Sequence, residues 1–319
     1  WTHAEGWLPI LENRYASGNV TLLLEAAGGV KATLIRLTMT NAGNADRIFR
    51  IPGKSLRGFF GYNPGYVDPA RDRDCLLAGW GDRADRILVL APDADNYPIS
   101  TAVMLCPEWK VRAGETRIGW ILFPYQGYAA DLAVLRKHDW PGEFDAAKKE
   151  WRTLLERSVR VTIPDEGVQA GFYASLGDLF IMREPVEGGR VAGIPGTEGY
   201  RAAGTVEGAI VAIALDQVGL SREAAEGFQV CMEMQGEDGD WNDPNAWGHL
   251  IWGIAGFKSW AAMEHYRLTG DREYLTAIYP RMLASSRWQE KQRARMRVLE
   301  NGVKPVTYGL MPRGMGDCG

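Results

Sequence analysis

The sequence predicts a two-domain protein of the β + α class, in which an antiparallel β-sandwich is followed by helices. Up to about residue 125, β-rich or alternating apolar runs are separated by Gly, Asn, Asp and Pro turns. After that point apolar residues recur every three or four positions, as they do in amphipathic helices. A length of 319 residues is enough for two domains that each bury a core. We predict a β-sandwich over residues 1–130, a linker with helices over 131–163 and a helical domain over 164–319.

Five segments of the first part predict strands, because they are rich in β-branched and apolar residues and end at turn residues. They are NVTLLLEA (19–26), KATLIRLTMTNAG (31–43), DRILVLAPD (85–93), ISTAVMLCPEW (99–109) and TRIGWILFPYQ (116–126).

Helical periodicity begins in two linker segments, AADLAVLRKH (129–138) and FDAAKKEWRTLLERS (144–158). Five longer helices are then predicted, over 168–183, 205–219, 221–235, 249–270 and 271–295. Several start at a residue that favours a helix N-cap, and two end at a glycine, which favours a helix C-terminus. The capping residues are Asp165, Thr205, Ser221 and Asp271, and the glycines are Gly219 and Gly270. The second domain is therefore predicted to consist of helical hairpins.

The composition argues against several classes of function. A net charge of −4 without a basic run argues against nucleic acid as a partner. The most apolar segment, GAIVAIALDQVG, contains Asp216 and is shorter than the ~18 residues of a membrane span. No metal site is predicted from the four cysteines, since none of them forms a CxxC pair. The chain begins at Trp1 instead of Met, which predicts a removed or missing N-terminal segment and slightly favours a secreted or periplasmic protein.

Tryptophan is unusually frequent, with 12 residues, and this excess has two interpretations. The indole rings form a large aromatic core, or some of them stack on flat apolar surfaces such as the faces of sugar rings.

The order of these elements resembles the six-hairpin glycosidase superfamily, which includes glucoamylases, rhamnosidases and disaccharide phosphorylases. The resemblance rests on a sandwich, a linker helix with the sequence AKKEW, the tripeptide IPD and then paired helices. The phrase HYRLTGDREYLTAIYP is similar to the fourth and fifth helices of the superfamily's (α/α)6 toroid. The resemblance implies that residues 164–319 form the first part of such a toroid. Because five of twelve helices precede Gly319, it also implies that the toroid continues beyond that residue.

The resemblance implies a glycoside hydrolase, and an inverting one if the chain follows its glucoamylase-like relatives. Such an enzyme needs one carboxylic acid to protonate the leaving oxygen and one carboxylate to activate water. In these relatives the acid follows the fifth toroid helix, and Asp317 stands at the matching place in VTYGLMPRGMGDCG. The resemblance places the catalytic base beyond residue 319. The alternative for Asp317 is a structural role as the cap of a following helix.

The resemblance also implies substrate-binding residues in the loops before two other helices. Arg201 and Glu207 stand where glucoamylases carry an adjacent Arg-Asp pair, although here they are six positions apart. The structural alternative for Glu207 is that its negative charge stabilises the helix, because it lies in the first helical turn. The loop EDGDWNDPNAWGH (237–249) stands where glucoamylases present a tryptophan to the sugar, so Trp241 and Trp247 are the candidates for stacking.

The same loop contains Asp243 and His249, which we include among the candidate substrate-binding residues. DWND resembles the GDWND of disaccharide phosphorylases, where its Asp is the acid, but in those enzymes it lies later in the toroid. A calcium ion is the alternative ligand for these clustered carboxylates, although the loop lacks the full twelve-residue calcium-binding pattern. His249 opens a helix, and packing or capping is the alternative to a role in the site.

Two other functions stay open beside hydrolysis of a glycan. A polysaccharide lyase would use Asn245 or Arg201 to neutralise a uronate and His249 or Tyr308 as the base. Against it, lyases with this pair of folds commonly put the toroid first. A non-catalytic carbohydrate-binding protein would keep the tryptophans and lose the acid.

Overall fold

A computed structural model describes most of the chain in two compact units. The first unit comprises Trp1–Leu154 and Asp165–Ala174, and the second comprises Leu155–Pro164 and Ser175–Gly319. The predicted fold class, a β domain followed by a helical region, is confirmed. The described residues are 1–51, 67–68, 74–80, 83–98, 106–196, 201–241 and 252–314.

The first unit is built on an antiparallel sheet of eight strands in the order β1-β2-β3-β4-β10-β8-β7-β6. A second sheet pairs β5 with β9. The strands are β1 Thr2–Ala4, β2 Leu8–Ser17, β3 Val20–Gly28, β4 Ala32–Asn41, β5 Arg47–Arg50, β6 Val67–Asp68, β7 Cys75–Trp80, β8 Arg83–Leu90, β9 Glu108–Val111 and β10 Thr116–Pro124. The sequence patterns missed β1 and β2, although Leu8 and Ile10 alternate with more exposed residues and are fully buried.

The central strands of this sheet are apolar on both faces. Leu34 and Leu122 belong to the core on one face, whereas Leu37 and Ile121 pack on the other face with Trp109 of the second sheet. A side chain at position 119 of β10 is excluded by this layer, because a Cβ atom there would lie 2.7 Å from Nε1 of Trp109. The two sheets therefore pack face to face, as in a sandwich.

The opposite face of the large sheet is covered by helices from the predicted linker. After a 3₁₀ turn at Ala129–Asp131 come α1, Leu132–Leu135, and α2, Trp140–Glu156. Trp140 and Phe144 of α2 join the core of that face. The guanidinium of Arg36 lies 4.3 Å from the Phe144 ring centroid and donates to both carboxylate oxygens of the buried Glu25. The linker helices thus complete the first core instead of only joining two domains.

Asp93, in the turn after β8, accepts a hydrogen bond from the backbone N–H of Trp120 at 3.1 Å. Burial raises the pKa of its carboxyl group. Asp46 is the opposite case, because the ammonium of Lys110 hydrogen-bonds to it and lowers its pKa.

These opposite shifts predict opposite pH dependences. The stability from Asp93 is fully present below its unfolded pKa of ~3.9 and is lost as pH rises through its raised folded pKa. Relative to Asp93→Asn, the wild type should therefore lose free energy of unfolding between pH ~3 and ~7. Relative to the control Asp46→Asn, the wild type should instead gain free energy of unfolding between pH ~3 and ~7. Urea unfolding at several pH values measures both differences, and equal slopes for the two variants would contradict the prediction.

The second unit is mainly helical. Helix α3 spans Glu166–Ile181, and its first turns belong to the first unit. The other elements of the second unit follow α3 in the chain. They are β11 Arg183–Val186, β12 Arg190–Gly193, α4 Val206–Gln217, α5 Ser221–Glu233, α6 Ile254–Thr269 and α7 Arg272–Arg295. The β11–β12 hairpin was not predicted, although adjacent glycines, as at Gly188 and Gly189, are a typical signal of a tight hairpin turn. Among the described residues, no helix is both long and apolar enough to span a bilayer.

Helices α4 to α7 form the predicted pairs. α4 packs against both α5 and α6 and is buried over most of its circumference. α5 buries one stripe, which includes Ala224, Phe228 and Cys231. α6 ends at Gly270 in the left-handed conformation, with φ +68°, and α7 begins immediately after Asp271. A closed twelve-helix toroid stays a prediction.

The N-caps of α4 and α7 differ in a way that predicts different effects of mutation. The carboxylate of Asp271 accepts from the N–H of Tyr274 at 2.9 Å, whereas the buried hydroxyl of Thr205 has no hydrogen-bond partner among the described residues. Asp271→Ala should therefore cost ~1 kcal/mol of unfolding free energy. Thr205→Val should keep or raise stability, because it removes a buried hydroxyl that has no partner within the described part of the chain. Thermal melts compare the two variants, and a larger loss for Thr205→Val would contradict this assignment.

Candidate functional site

The structure describes only part of the predicted site. Arg201, Glu207 and Trp241 lie within the described residues, as does Tyr308 of the lyase alternative. The candidate acid Asp317 lies outside them, and so do Asp243, Asn245, Trp247 and His249.

Cys231, in the last turn of α5, brings two predicted site loops together. Its carbonyl oxygen accepts from Nε1 of Trp241 at 2.6 Å, and its Sγ lies 3.8 Å from the carbonyl oxygen of Thr205. Thr205 directly precedes α4, and Trp241 opens the segment that leads to α6. The N-terminal end of α4 and the start of that segment therefore lie at the same end of the helical unit.

Trp241 is a core residue. Its side chain is 0% exposed, and its indole ring packs edge-on against Phe228 with ring centroids 6.1 Å apart. Together with the hydrogen bond to Cys231, this leaves no indole face for a sugar ring. The suggested stacking role of Trp241 is therefore corrected to the core alternative, and Trp247 stays the predicted stacking residue.

Glu207 and Arg201 are both on the surface near the start of α4. Glu207 is exposed in the first helical turn, where a negative charge is favourable. Nη1 of Arg201 donates to Oε1 of Glu184 at 3.1 Å and to the carbonyl oxygen of Gly196 at 2.9 Å. Its hydrogen bonds to Glu184 raise the pKa of the guanidinium. Any substrate group bound by Arg201 must therefore join or replace the Glu184 carboxylate, a partner that the sequence did not suggest.

The acidic loop starts with a tight turn that is attached to α7. One carboxylate oxygen of Asp238 accepts from the N–H of Asp240, and the other accepts from Nε1 of Trp288, each at 3.0 Å. Both oxygens of Asp238 thus have structural partners. Within the described residues there is no group of three or more His, Cys, Asp or Glu side chains that could hold a metal ion. These contacts give no support to the calcium alternative at Asp238.

Asp216 and His265 form a buried pair between α4 and α6 that no site prediction included. Nδ1 of His265 lies 3.0 Å from each carboxylate oxygen of Asp216, and both residues are 4% exposed. The ring of Tyr274 packs on His265 at 4.2 Å between centroids, and burial together with Asp216 raises the Tyr274 pKa. The signal in the sequence was Asp216 itself, a charged residue inside an apolar helix. Since Asp216 and His265 lie near the C-terminal ends of their helices, the pair joins α4 and α6 at those ends.

The segment between α7 and Asp317 contacts the C-terminal end of α7 at Gly309. Nε of Arg293 donates to the carbonyl oxygen of Gly309 at 3.0 Å, and the N–H of Gly309 donates to Met296. Tyr308 is half-buried beneath Lys304, whose Nζ lies 5.0 Å from the ring centroid.

Comparisons with known proteins add little to this geometry. No family model matches the chain. No curated protein matches it either. One solved structure, a polysaccharide lyase, is similar at 10% identity with a TM-score of 0.25, over 86% of this chain and 57% of that one. The chain thus spans less than two thirds of the length of that protein. At this TM-score the likeness carries no argument about fold or mechanism.

Proposed function

We propose that this chain is a carbohydrate-active enzyme that cleaves a glycosidic bond, with hydrolysis as the reaction. The observation that supports the proposal is the junction at Cys231, where the chain segments that begin at Thr205 and at Trp241 lie at one end of the helical unit. The first segment contains Glu207 and follows Arg201, and the second leads into Asp243, Trp247 and His249. Polar and aromatic groups that converge at helix ends are typical of a sugar site.

In this proposal Asp317 protonates the leaving oxygen, and a second carboxylate activates water for an inverting displacement. Arg201 and Glu207 bind hydroxyl groups of the outer sugar, because a guanidinium and a carboxylate offer paired donors and acceptors. Trp247 stacks on the apolar face of a sugar ring, and Asp243 and His249 bind further hydroxyl groups. No metal ion takes part in the proposed reaction.

Elimination is the competing chemistry. A lyase would use Arg201 to neutralise a uronate, and Arg201 is well placed for this only if it gives up Glu184 or shares it. The charge of the Arg201–Glu184 pair is already balanced, which favours the binding of neutral hydroxyl groups over a carboxylate. Hydrolysis is therefore the preferred proposal, and the test below separates the two reactions.

The test is a screen of neutral and uronate-containing polysaccharides with two readouts, new reducing ends and ultraviolet absorbance. We expect reducing ends without an absorbing product, since hydrolysis creates no double bond. An absorbing product from a uronate polymer would establish the lyase instead. Binding without either product would indicate a non-catalytic protein, and the absence of both binding and turnover would contradict a carbohydrate function.

A further inference from the structure

His138 lies between a carboxylate and an amine at the surface of the first unit. Its Nε2 lies 2.5 Å from Oε2 of Glu143, and its Nδ1 lies 3.5 Å from Nζ of Lys31. An ammonium group can only donate, so the Nδ1 atom that faces it is the acceptor and the ring proton is on Nε2. His138 is therefore a neutral imidazole that donates to Glu143 and presents a lone pair to Lys31.

The backbone of Lys31 is fixed on both sides. Its N–H donates to Oε1 of Glu143 at 2.9 Å, and its carbonyl oxygen accepts from the N–H of Tyr125 at 3.0 Å. The turn before β4 fits closely against the carboxylate, because a Cβ atom at Gly29 would clash with Oε1 of Glu143. Glu143 thus orients the imidazole with one oxygen and holds the lysine backbone with the other.

The three side chains differ in their exposure to solvent. The side chain of Glu143 is 9% exposed and that of His138 is 24% exposed, whereas Lys31 is an exposed residue. The His138 ring also packs edge-on against the buried Trp140, with ring centroids 4.4 Å apart. The carboxylate and the imidazole are therefore held in place, and the amine is accessible to a molecule from solvent.

We propose that Lys31 is a covalent site for an aldehyde, with His138 as the proton-transfer group and Glu143 as the residue that positions the imidazole. An unprotonated lysine amine attacks carbonyl carbon, and a base within reach of the attacking nitrogen speeds the reaction. The site lies in the first unit and does not depend on the proposed function.

The reaction replaces the C=O bond of the aldehyde with a C=N bond and releases one water. The amine of Lys31 attacks the carbonyl carbon, a C–N bond forms, and the electron pair of the C=O bond moves to oxygen, which takes a proton from water. Nδ1 of His138 accepts one proton from the attacking nitrogen. The imidazolium, stabilised by Glu143, then donates this proton to the hydroxyl group, which leaves as water and leaves a protonated imine. No oxidant or reductant is needed.

This proton transfer requires the neutral imidazole and therefore depends on pH. Imidazole gains charge between pH ~8 and ~5, and an imidazolium at His138 has no lone pair on Nδ1 and repels the Lys31 ammonium. The charged groups that face the ring are Lys31 and Glu143, whereas the adjacent Asp139 accepts from the N–H of Gly142. Acidification should therefore slow Lys31 more than a lysine without such a neighbour.

The experiment treats the full chain with glycolaldehyde and sodium cyanoborohydride, which traps the imine as a stable amine. Peptide mass spectrometry then measures the labelling rate of each lysine. Lys149, an exposed lysine of α2, is the internal control. At pH ~8 we expect Lys31 to react about tenfold faster than Lys149, less than the usual ~10²–10⁴-fold for proton-transfer catalysis because the amine is open to solvent. The ratio of the two rates should fall toward one as the pH is lowered to ~5.

Variants assign the effect to the two partners of the lysine. His138→Asn removes the base and should remove the advantage of Lys31 over the control lysine. Glu143→Gln keeps an acceptor for the N–H of Lys31 but provides no charge for the imidazolium, so it should lower the rate ratio severalfold. His3→Asn changes a histidine of β1 and is the matched control, which should leave the ratio unchanged.

Three results would overturn the proposal. One is equal labelling of Lys31 and Lys149 at pH ~8, and another is an unchanged rate ratio in a folded His138→Asn variant. The third is a wild-type ratio that stays constant from pH ~8 to ~5, a measurement that keeps the test valid if the variants fail to fold. A purely structural role of His138 would lower the melting temperature of its variant without making the wild-type ratio depend on pH.

Discussion

Asp317→Asn is expected to lower kcat by ~10²–10⁴-fold, the usual contribution of general acid catalysis. The amide has nearly the shape of the carboxyl group but provides no proton for the leaving oxygen. Binding of the substrate and the thermal melt should therefore stay close to those of the wild type. Initial rates on the glycan from the screen, set beside a binding isotherm, measure the effect.

The control for this variant is Asp139→Asn, which changes a carboxylate of the first unit that accepts from the N–H of Gly142. It should keep the wild-type rate. A near-normal rate for Asp317→Asn would remove this residue from the mechanism and favour its alternative role as a helix cap. A lower melting temperature at unchanged kcat would point to the same conclusion.

Trp241→Ala is expected to cost ~3–5 kcal/mol of unfolding free energy, the usual loss when a buried large aromatic side chain is removed. The change opens a cavity beside Phe228 and leaves the carbonyl oxygen of Cys231 without its indole donor. Trp241→Phe should lose less, because it keeps a ring in the core and loses only the N–H. Urea unfolding of the full chain measures both variants.

Trp247→Ala is the counterpart of this experiment, since Trp247 stays the predicted stacking residue. Stacking on an indole contributes ~0.5–1.5 kcal/mol beyond area burial, so this variant should bind the glycan severalfold more weakly at unchanged stability. An unfolding midpoint for Trp241→Ala equal to that of the wild type, together with weaker glycan binding, would return Trp241 to the site.

Local patterns in the sequence determined the type of most elements and several of their ends. Alternation and β-rich runs predicted β3, β4, β8 and β10, and three-to-four-residue periodicity predicted the helices, because both signals depend on neighbours within one element. The end of α6 at Gly270 and the start of α7 after Asp271 were predicted for the same reason. A left-handed glycine and a capping carboxylate act on the adjacent turn.

The tertiary structure decided which residues meet across the chain, and that information is absent from local patterns. The pairing of β5 with β9, the packing of Phe144 on the sheet, the Arg201–Glu184 pair and the Asp216–His265 pair all join residues that are far apart in sequence. Burial of Trp241 was decided in the same way, because a tryptophan in a polar loop has the same local sequence whether its ring is in a core or in a binding site. Trp241 is identified as a core residue only by its tertiary contacts, which are the hydrogen bond to the Cys231 carbonyl oxygen and the packing on Phe228.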